Sequence, residues 1–225
     1  DDTSSYFGST SDSLPADPRH LKTEYGNSGF DLRQRWSTYY GFALPIGAGH
    51  RILGSNNAIS KRIFNDWQVS GMTVVQSGLP FTVHLSSSVD YSGFHQFTDR
   101  PNVIGSGKLK VRTNNPDSTF DTTYFSTSIG AGQVGTERRN QHYGPGLFDF
   151  DTSITKSLPI AGKYRFLFRT DIFNLFNHTN FANPNATTSS SSFGKIKSTV
   201  AGASSTSGGA IGGARLVQFS GRISF

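Results

Sequence analysis

The chain has 225 residues, of which 34% are hydrophobic, 13% aromatic and only 16% charged, and its formal net charge is +6. So many aromatic side chains need an apolar environment, which excludes disorder along the whole chain. The absence of Cys excludes a disulfide framework, thiol catalysis and Cys-ligated metal centres, and no apolar run approaches the roughly 18 residues of a membrane-spanning helix.

Residues 1–29 are rich in Ser, Asp, Pro and Gly, with Leu14-Pro15 and Asp17-Pro18 breaking any regular pattern, and are predicted as a loop or lead-in. From Phe30 the pattern changes to a period of two. Phe30, Leu32, Trp36, Thr38, Tyr40, Phe42 and Leu44 share one parity, and Asp31, Arg33, Arg35, Ser37, Gly41 and Ala43 the other, which predicts a long strand with one apolar face. Pro45 to Gly49 supply turn residues. A second strand is predicted from near Ile63, with Trp67, Val69, Thr73, Val75, Phe81, Val83 and Leu85 in one phase and a ladder break or an edge at Pro80, which has no N–H to give. Residues 86–146 hold no sustained period and read as a long surface loop, with short strands near Leu109 to Arg112 and Tyr124 to Phe125.

The third strand is predicted from Leu147 to Leu158, with Phe148, Phe150, Thr152, Ile154 and Leu158 on one face. A tight connection at Pro159 to Gly162 leads to the fourth, Lys163 to Asn177, where Tyr164, Phe166, Phe168, Thr170 and Ile172 alternate with Arg165, Leu167, Arg169, Asp171 and Phe173. Residues 178–213 form another polar loop ending in the low-complexity run Ala201 to Gly213. The last strand, Ala214 to Phe225, places Val217, Phe219, Ile223 and Phe225 on one face and Gln218, Ser220, Arg222 and Ser224 on the other.

The chain therefore reads as all-β, an antiparallel sheet of about five long strands. Two architectures bury or cover one apolar face of such a sheet. In a sandwich the apolar faces of two sheets pack together; in an outer-membrane β-barrel the apolar face meets lipid and the polar face lines the lumen. Long strands, short turns at one end and long polar loops at the other favour the barrel. Trp36, Tyr40 and Phe42, and Tyr164, Phe166 and Phe168, are placed to join interfacial aromatic belts.

Four stretches carry a family likeness: Phe64 to Gly71, Gln76 to Phe81, Gly144-Pro145-Gly146 with Asp149 to Lys156, and Arg169 to His178, continued by Phe193 to Ile196 and by Leu216 to Phe225. Together they resemble the C-terminal β-barrel region of Oar-like (carboxypeptidase-regulatory-like) TonB-dependent outer-membrane receptors, over about residues 20–225. The resemblance implies a barrel of about 22 strands closed by an N-terminal plug and energised through a TonB box. Neither plug nor box is recognisable in these 225 residues, and Ala201 to Gly213 departs from the family by its length. The resemblance also implies that the terminal strand, with Phe219, Ile223 and Phe225, is the signal read by the barrel-insertion machinery.

No chemistry emerges from the remaining motifs. His residues at 20, 50, 84, 95, 142 and 178 lack metal-site spacing. A paper triad of Asp171, His178 and Ser189 has no nucleophile elbow, and Gly47-Ala48-Gly49 lacks the context of a phosphate loop. The Lys and Arg residues are dispersed apart from Arg138-Arg139, which argues against a nucleic-acid partner despite a pI near 9.7. The most organised charges are Asp149, Asp151, Arg165, Arg169 and Asp171. A three-residue connection at 159–161 would set Asp151 opposite Arg169, both facing the lumen, as an ion-pair network of the wall.

The expected function is the C-terminal barrel portion of a TonB-dependent receptor in the cell outer membrane: 30–225 as barrel segment, the loops at 86–146 and 178–213 sampling ligand, no cofactor and no catalysis. Its expected partners are outer-membrane lipid and the rest of the receptor chain, with the TonB system engaged only through an upstream part. The competing expectation is a self-assembling structural β-protein, an extracellular oligomer or filament in which copies complete one another's sheets; a secreted β-sandwich binding module is the third. About five strands are too few to close a barrel, since the smallest have about eight. The sequence is therefore expected to be part of something larger or a subunit that borrows strands.

Overall fold

The computed structural model describes residues 15–53, 57–86, 88–94, 99–200 and 213–225. The expectations for residues 1–14, for His95 and for the low-complexity run at 201–212 lie outside these. Two compact units divide the chain, one built on the long strands and one on the segments between them.

In the strand unit, β1 (Arg35–Ala43), β2 (Trp67–Gln76), β7 (Leu147–Ala161), β8 (Tyr164–Phe173) and β9 (Leu216–Ser224) form one sheet in the order β1-β2-β7-β8-β9. The five long strands anticipated from alternation are all present. Leu44 N–H donates to Trp67 O and Ser77 N–H to Gln34 O, each at 2.8 Å, framing β1 and β2 as an antiparallel pair. β8 runs antiparallel to both neighbours, from Thr152↔Ile172 to Pro159↔Arg165 on one side and from Arg165↔Ser224 to Phe173↔Leu216 on the other.

The first strand starts at Arg35 rather than Phe30 and the fourth ends at Phe173 rather than Asn177, and two further expectations about this sheet are corrected. The second strand does not begin at Ile63 or reach Leu85. A seven-residue helix, α1 (Ala58–Phe64), occupies the approach, capped where the Asn57 side chain accepts the Ser60 N–H. Asp66, in a left-handed conformation (φ 62°), turns the chain into β2. β2 then stops at Gln76, and β3 (Pro80–Phe81) belongs to a different sheet. The long ladder thus ends at Gln76, ahead of Pro80, which itself pairs Tyr143 in that other sheet.

The second correction concerns register. The connection between β7 and β8 is not three residues at 159–161. β7 continues to Ala161, with a bulge between Pro159 and Ala161, and Ala161 pairs Tyr164 across Gly162 and Lys163. Gly162 takes φ 55°, which a tight two-residue turn needs. The register therefore places Thr155, not Asp151, opposite Arg169, and Ser153 opposite Asp171.

The other unit gathers residues 15–35, 76–147 and 181–200 among those described. Two short antiparallel pairs lie in it: β3 with β6 (His142–Tyr143), and β4 (Asn102–Val103) with β5 (Phe125–Ser126). Leu109 to Arg112, expected as a short strand, is not one; its Arg112 N–H donates to Thr119 O at 2.7 Å. Phe81, Val83, Phe120 and Phe125 form a buried core, with Phe193 edge-on to Phe120 at 5.5 Å. Long-range backbone bonds tie the segments together: His84 N–H to Ala186 O and Thr119 N–H to Gly194 O, both at 2.9 Å. Segments that look like loops in sequence are thus packed around a core of their own.

Candidate functional site: the two faces of the wall and the clefts of the loop unit

The β7–β8 hairpin alternates strictly, so Ser153, Thr155, Arg169 and Asp171 stand on one face and Ile154, Phe166, Phe168 and Ile172 on the other. The Tyr40 hydroxyl lies 3.0 Å from Thr152 Oγ1, and Lys156 Nζ lies 5.0 Å from the Trp67 ring centre. These contacts carry the same apolar side onto β1 and β2. Tyr40 and Phe150 are ring neighbours at 5.8 Å, and Phe168 stacks on Phe219 at 6.2 Å. One aromatic surface therefore runs across the sheet. It is uncovered at both ends: Trp36 is 57% and Phe42 54% exposed on β1, Phe219 67% on β9. Every residue of β9 is exposed, on both faces. Large contiguous apolar surfaces of this kind mark a face made for something other than water.

Lys156 is the exception on the aromatic side. Its ammonium donates to Asn65 O at 2.6 Å beneath the Trp67 ring. The charge is thereby bent away from the apolar surface toward the backbone that links α1 to β2, as long cationic side chains do at a membrane boundary. Sequence reading passed over it because nothing near it in sequence supplies its partner.

On the polar face the expected charge network is partly assembled. Arg169 Nε donates to both Asp171 oxygens, at 2.8 and 2.9 Å, in a forked arrangement, and Arg169 Nη2 donates to Ser153 Oγ at 3.1 Å. The Ser153 hydroxyl also donates to Asp171 Oδ1. Asp151 is engaged elsewhere, accepting the Asn174 N–H at 2.9 Å. Asn174 (φ 49°) in turn bonds His178 through both its side-chain oxygen and nitrogen, at 2.9 Å each, closing the chain as it leaves β8. Asp149 is buried nearer the start of β7. Arg165 sits at the opposite end, between Pro159 and Ser224, and takes no part in the cluster. A depression of about 330 Å³ opens over Tyr39, Ser70, Ser153, Arg169 and Asp171. Of the terminal-strand residues, Phe219 and Phe225 stand on the aromatic side, Phe225 beside Tyr164 at 6.5 Å, and Ile223 pairs Phe166.

The loop unit contributes two clefts, of about 540 and 390 Å³, which share Lys108, Leu109 and Tyr124. The smaller is bounded by Arg33, whose Nε donates to the Tyr143 hydroxyl at 2.8 Å while that hydroxyl donates to Asp31 Oδ2 at 2.6 Å. The hydrogen bond that Arg33 gives to Tyr143, and the nearby Asp31, raise the Arg33 pKa. Burial, then the bond to Asp31, raise that of Tyr143. In the wall of this cleft, His142 Nε2 lies 3.0 Å from the buried Glu137 carboxylate, and its ring meets Phe125 at 5.6 Å. Among the described residues no group of three or more His, Asp or Glu side chains is arranged to hold a metal ion.

A family model described as an outer membrane beta barrel domain matches residues 1–218. No curated protein and no solved structure matches the chain.

Proposed function

Since the chain belongs to the family of outer membrane beta barrel domains and is a protein of the outer membrane, we propose that it is the C-terminal barrel portion of a TonB-dependent, Oar-like receptor. In this reading β1, β2, β7, β8 and β9 are consecutive wall strands, their aromatic side turned to lipid and the Arg169–Asp171–Ser153 cluster to the lumen. The loop unit samples external ligand. The observation that carries the reading is the sheet itself: a strand such as β9, exposed on both faces and aromatic on one of them, suits a wall with lipid on one face and a lumen on the other. The loop unit supports it, because a stretch of about 70 residues between neighbouring wall strands has its own core and is built to present a surface. Covalent chemistry has no part in it.

A second reading draws on the strand order. Among the described residues β1 and β9 have one neighbour each, and open ladders recruit further strands. In the receptor those strands come from the same polypeptide; in a self-assembling protein they come from further copies. The mass and composition of the native outer-membrane particle separate the two. The receptor requires one copy of this sequence within a longer polypeptide, and the same uptake defect from its loss as from loss of TonB. A ring or filament of 225-residue copies alone would overturn it.

A further inference from the structure

Lys108, Lys110 and Arg112 are exposed, whereas Leu109 and Val111 between them pack against the aromatic core of the loop unit. The alternation directs three cations to one side of a single stretch, at most about 14 Å from first to last at full extension. All three line the 540 Å³ cleft, and Lys108 also lines its neighbour, where Arg33 stands. Among the described residues no carboxylate pairs with Lys108, Lys110 or Arg112. Asp121 is the one acid in the wall of the larger cleft, and its Oδ1 is already occupied by the Thr123 N–H at 2.9 Å and the Thr123 hydroxyl at 2.7 Å. Three cations against one engaged carboxylate leave a concave wall with an uncompensated positive field. Concavity focuses that field, which raises the local concentration of anions.

The fixed parts of the cleft are rigid enough to select a shape. Tyr124 is held by its hydroxyl donating to Gly107 O at 2.6 Å and by edge contact with Phe125 at 5.0 Å. Gly105 leaves room for that ring where any Cβ would collide with it. The backbone carrying the cations is anchored at its far end by the Arg112 to Thr119 bond, and Thr119 is itself fully buried.

We propose that this cleft binds a multivalent oxyanion, a ligand with two or more carboxylate or phosphate groups, through Lys108, Lys110 and Arg112. Lys108 and Lys110 act as point charges, and Arg112 supplies a planar fork suited to a bidentate oxyanion. The proposal gives a ligand chemistry to the loop unit and so rests on the receptor reading for its use in uptake. The binding itself does not depend on transport.

The test is calorimetric titration of the full chain in a zwitterionic detergent with pyrophosphate, with a trimer of uronic acids, and with the matching neutral trisaccharide. Both anions are expected to bind and the neutral sugar not to, with affinity falling as salt is raised to about 0.3 M, where the screening length shrinks to several ångströms. Replacing Lys108, Lys110 and Arg112 together by Gln is expected to weaken binding roughly tenfold or more, because charge-assisted bonds are lost. The charge-preserving set Lys108→Arg, Lys110→Arg and Arg112→Lys keeps binding within a few-fold, which shows that loss in the Gln set is not misfolding. Competition by micelles carrying a phosphomonoester lipid would assign the oxyanion to a headgroup, and its absence to a free ligand. Failure of both anions to bind, or equal binding by the Gln set, overturns the proposal. Binding retained in a protein that shows no TonB-dependent uptake overturns the receptor reading and leaves this one standing.

Discussion

Asp17 holds the start of the described chain in place. Its carboxylate accepts from the Arg19 N–H at 2.9 Å, pairs with His20 Nδ1 at 2.8 Å and meets Arg19 Nε at 3.3 Å, just before a short 3-10 turn at Leu21–Glu24. The bond to His20 is the main cause lowering its pKa from the ordinary 3.8 to about 2. A carboxylate depressed on folding is protonated more readily in the unfolded chain. Its contribution to stability is therefore complete above about pH 3.8 and is lost as the pH falls through about 2. A carboxyl titration followed by NMR is expected to show Asp17 with an inflection near 2, moving up toward 3.8 in His20→Ala. An inflection already at 3.8 in the parent protein would show that the His20 contact is not made. Nearby, Glu24 reaches Arg100 at 2.5 Å across 76 positions of sequence, which ties a stretch composed like a lead-in to the rest of its unit. No pattern within residues 1–29 contains that partner, so composition alone reads the stretch as loose.

Among the elements, β2 is closely packed at one glycine. A Cβ at Gly71 would collide with Asp151 O of β7 and with the Tyr40 ring and hydroxyl, which crosses from β1 to Thr152 of β7. The aromatic side of three strands closes over this position. Gly71→Val is therefore expected to overpack the sheet, costing about 1–3 kcal/mol. Denaturant unfolding of the chain in detergent checks this, and an unchanged midpoint would mean that Tyr40 does not bridge the strands. The five long strands were legible in sequence because two faces of unlike polarity impose a period of two that survives over nine or more residues. α1 was not, since seven residues with only Ile59 and Ile63 one turn apart make too short a helical period to stand out from strand alternation. The register of the hairpin was hidden by the place of its turn, which lies at Gly162 and Lys163 rather than at 159–161 and moves the partner of Arg169 four positions, from Asp151 to Thr155. Asp151, no longer opposite Arg169, accepts the Asn174 N–H, while Arg169 and Asp171, two apart on one strand, pair with each other. Exposed to this degree, the Arg169–Asp171 pair contributes at most about 1 kcal/mol, which fits a wall contact better than a stability anchor.

At the scale of the whole molecule, the two units follow different sequence logic. The sheet is written locally, and its fold class and faces could be read residue by residue. The loop unit is written non-locally: Phe81, Phe120, Phe125 and Phe193 converge from segments that show no period, and the cations of its cleft look dispersed along the chain until Leu109 and Val111 turn inward. The proposed role of the sheet as a wall then rests on one physical claim, that its aromatic side faces lipid and the other side does not. The chain contains no Cys, so single cysteines report on each face without background. Ile154→Cys, Phe168→Cys and Phe219→Cys on the aromatic side, and Thr155→Cys, Gln218→Cys and Ser220→Cys on the other, would be placed in the protein inserted in its native membrane. Quenching of an attached fluorophore by brominated lipid is the measurement. Strong quenching at 154, 168 and 219 with weak quenching at 155, 218 and 220 is the predicted result, and quenching without that period of two, or at neither face, would contradict the account.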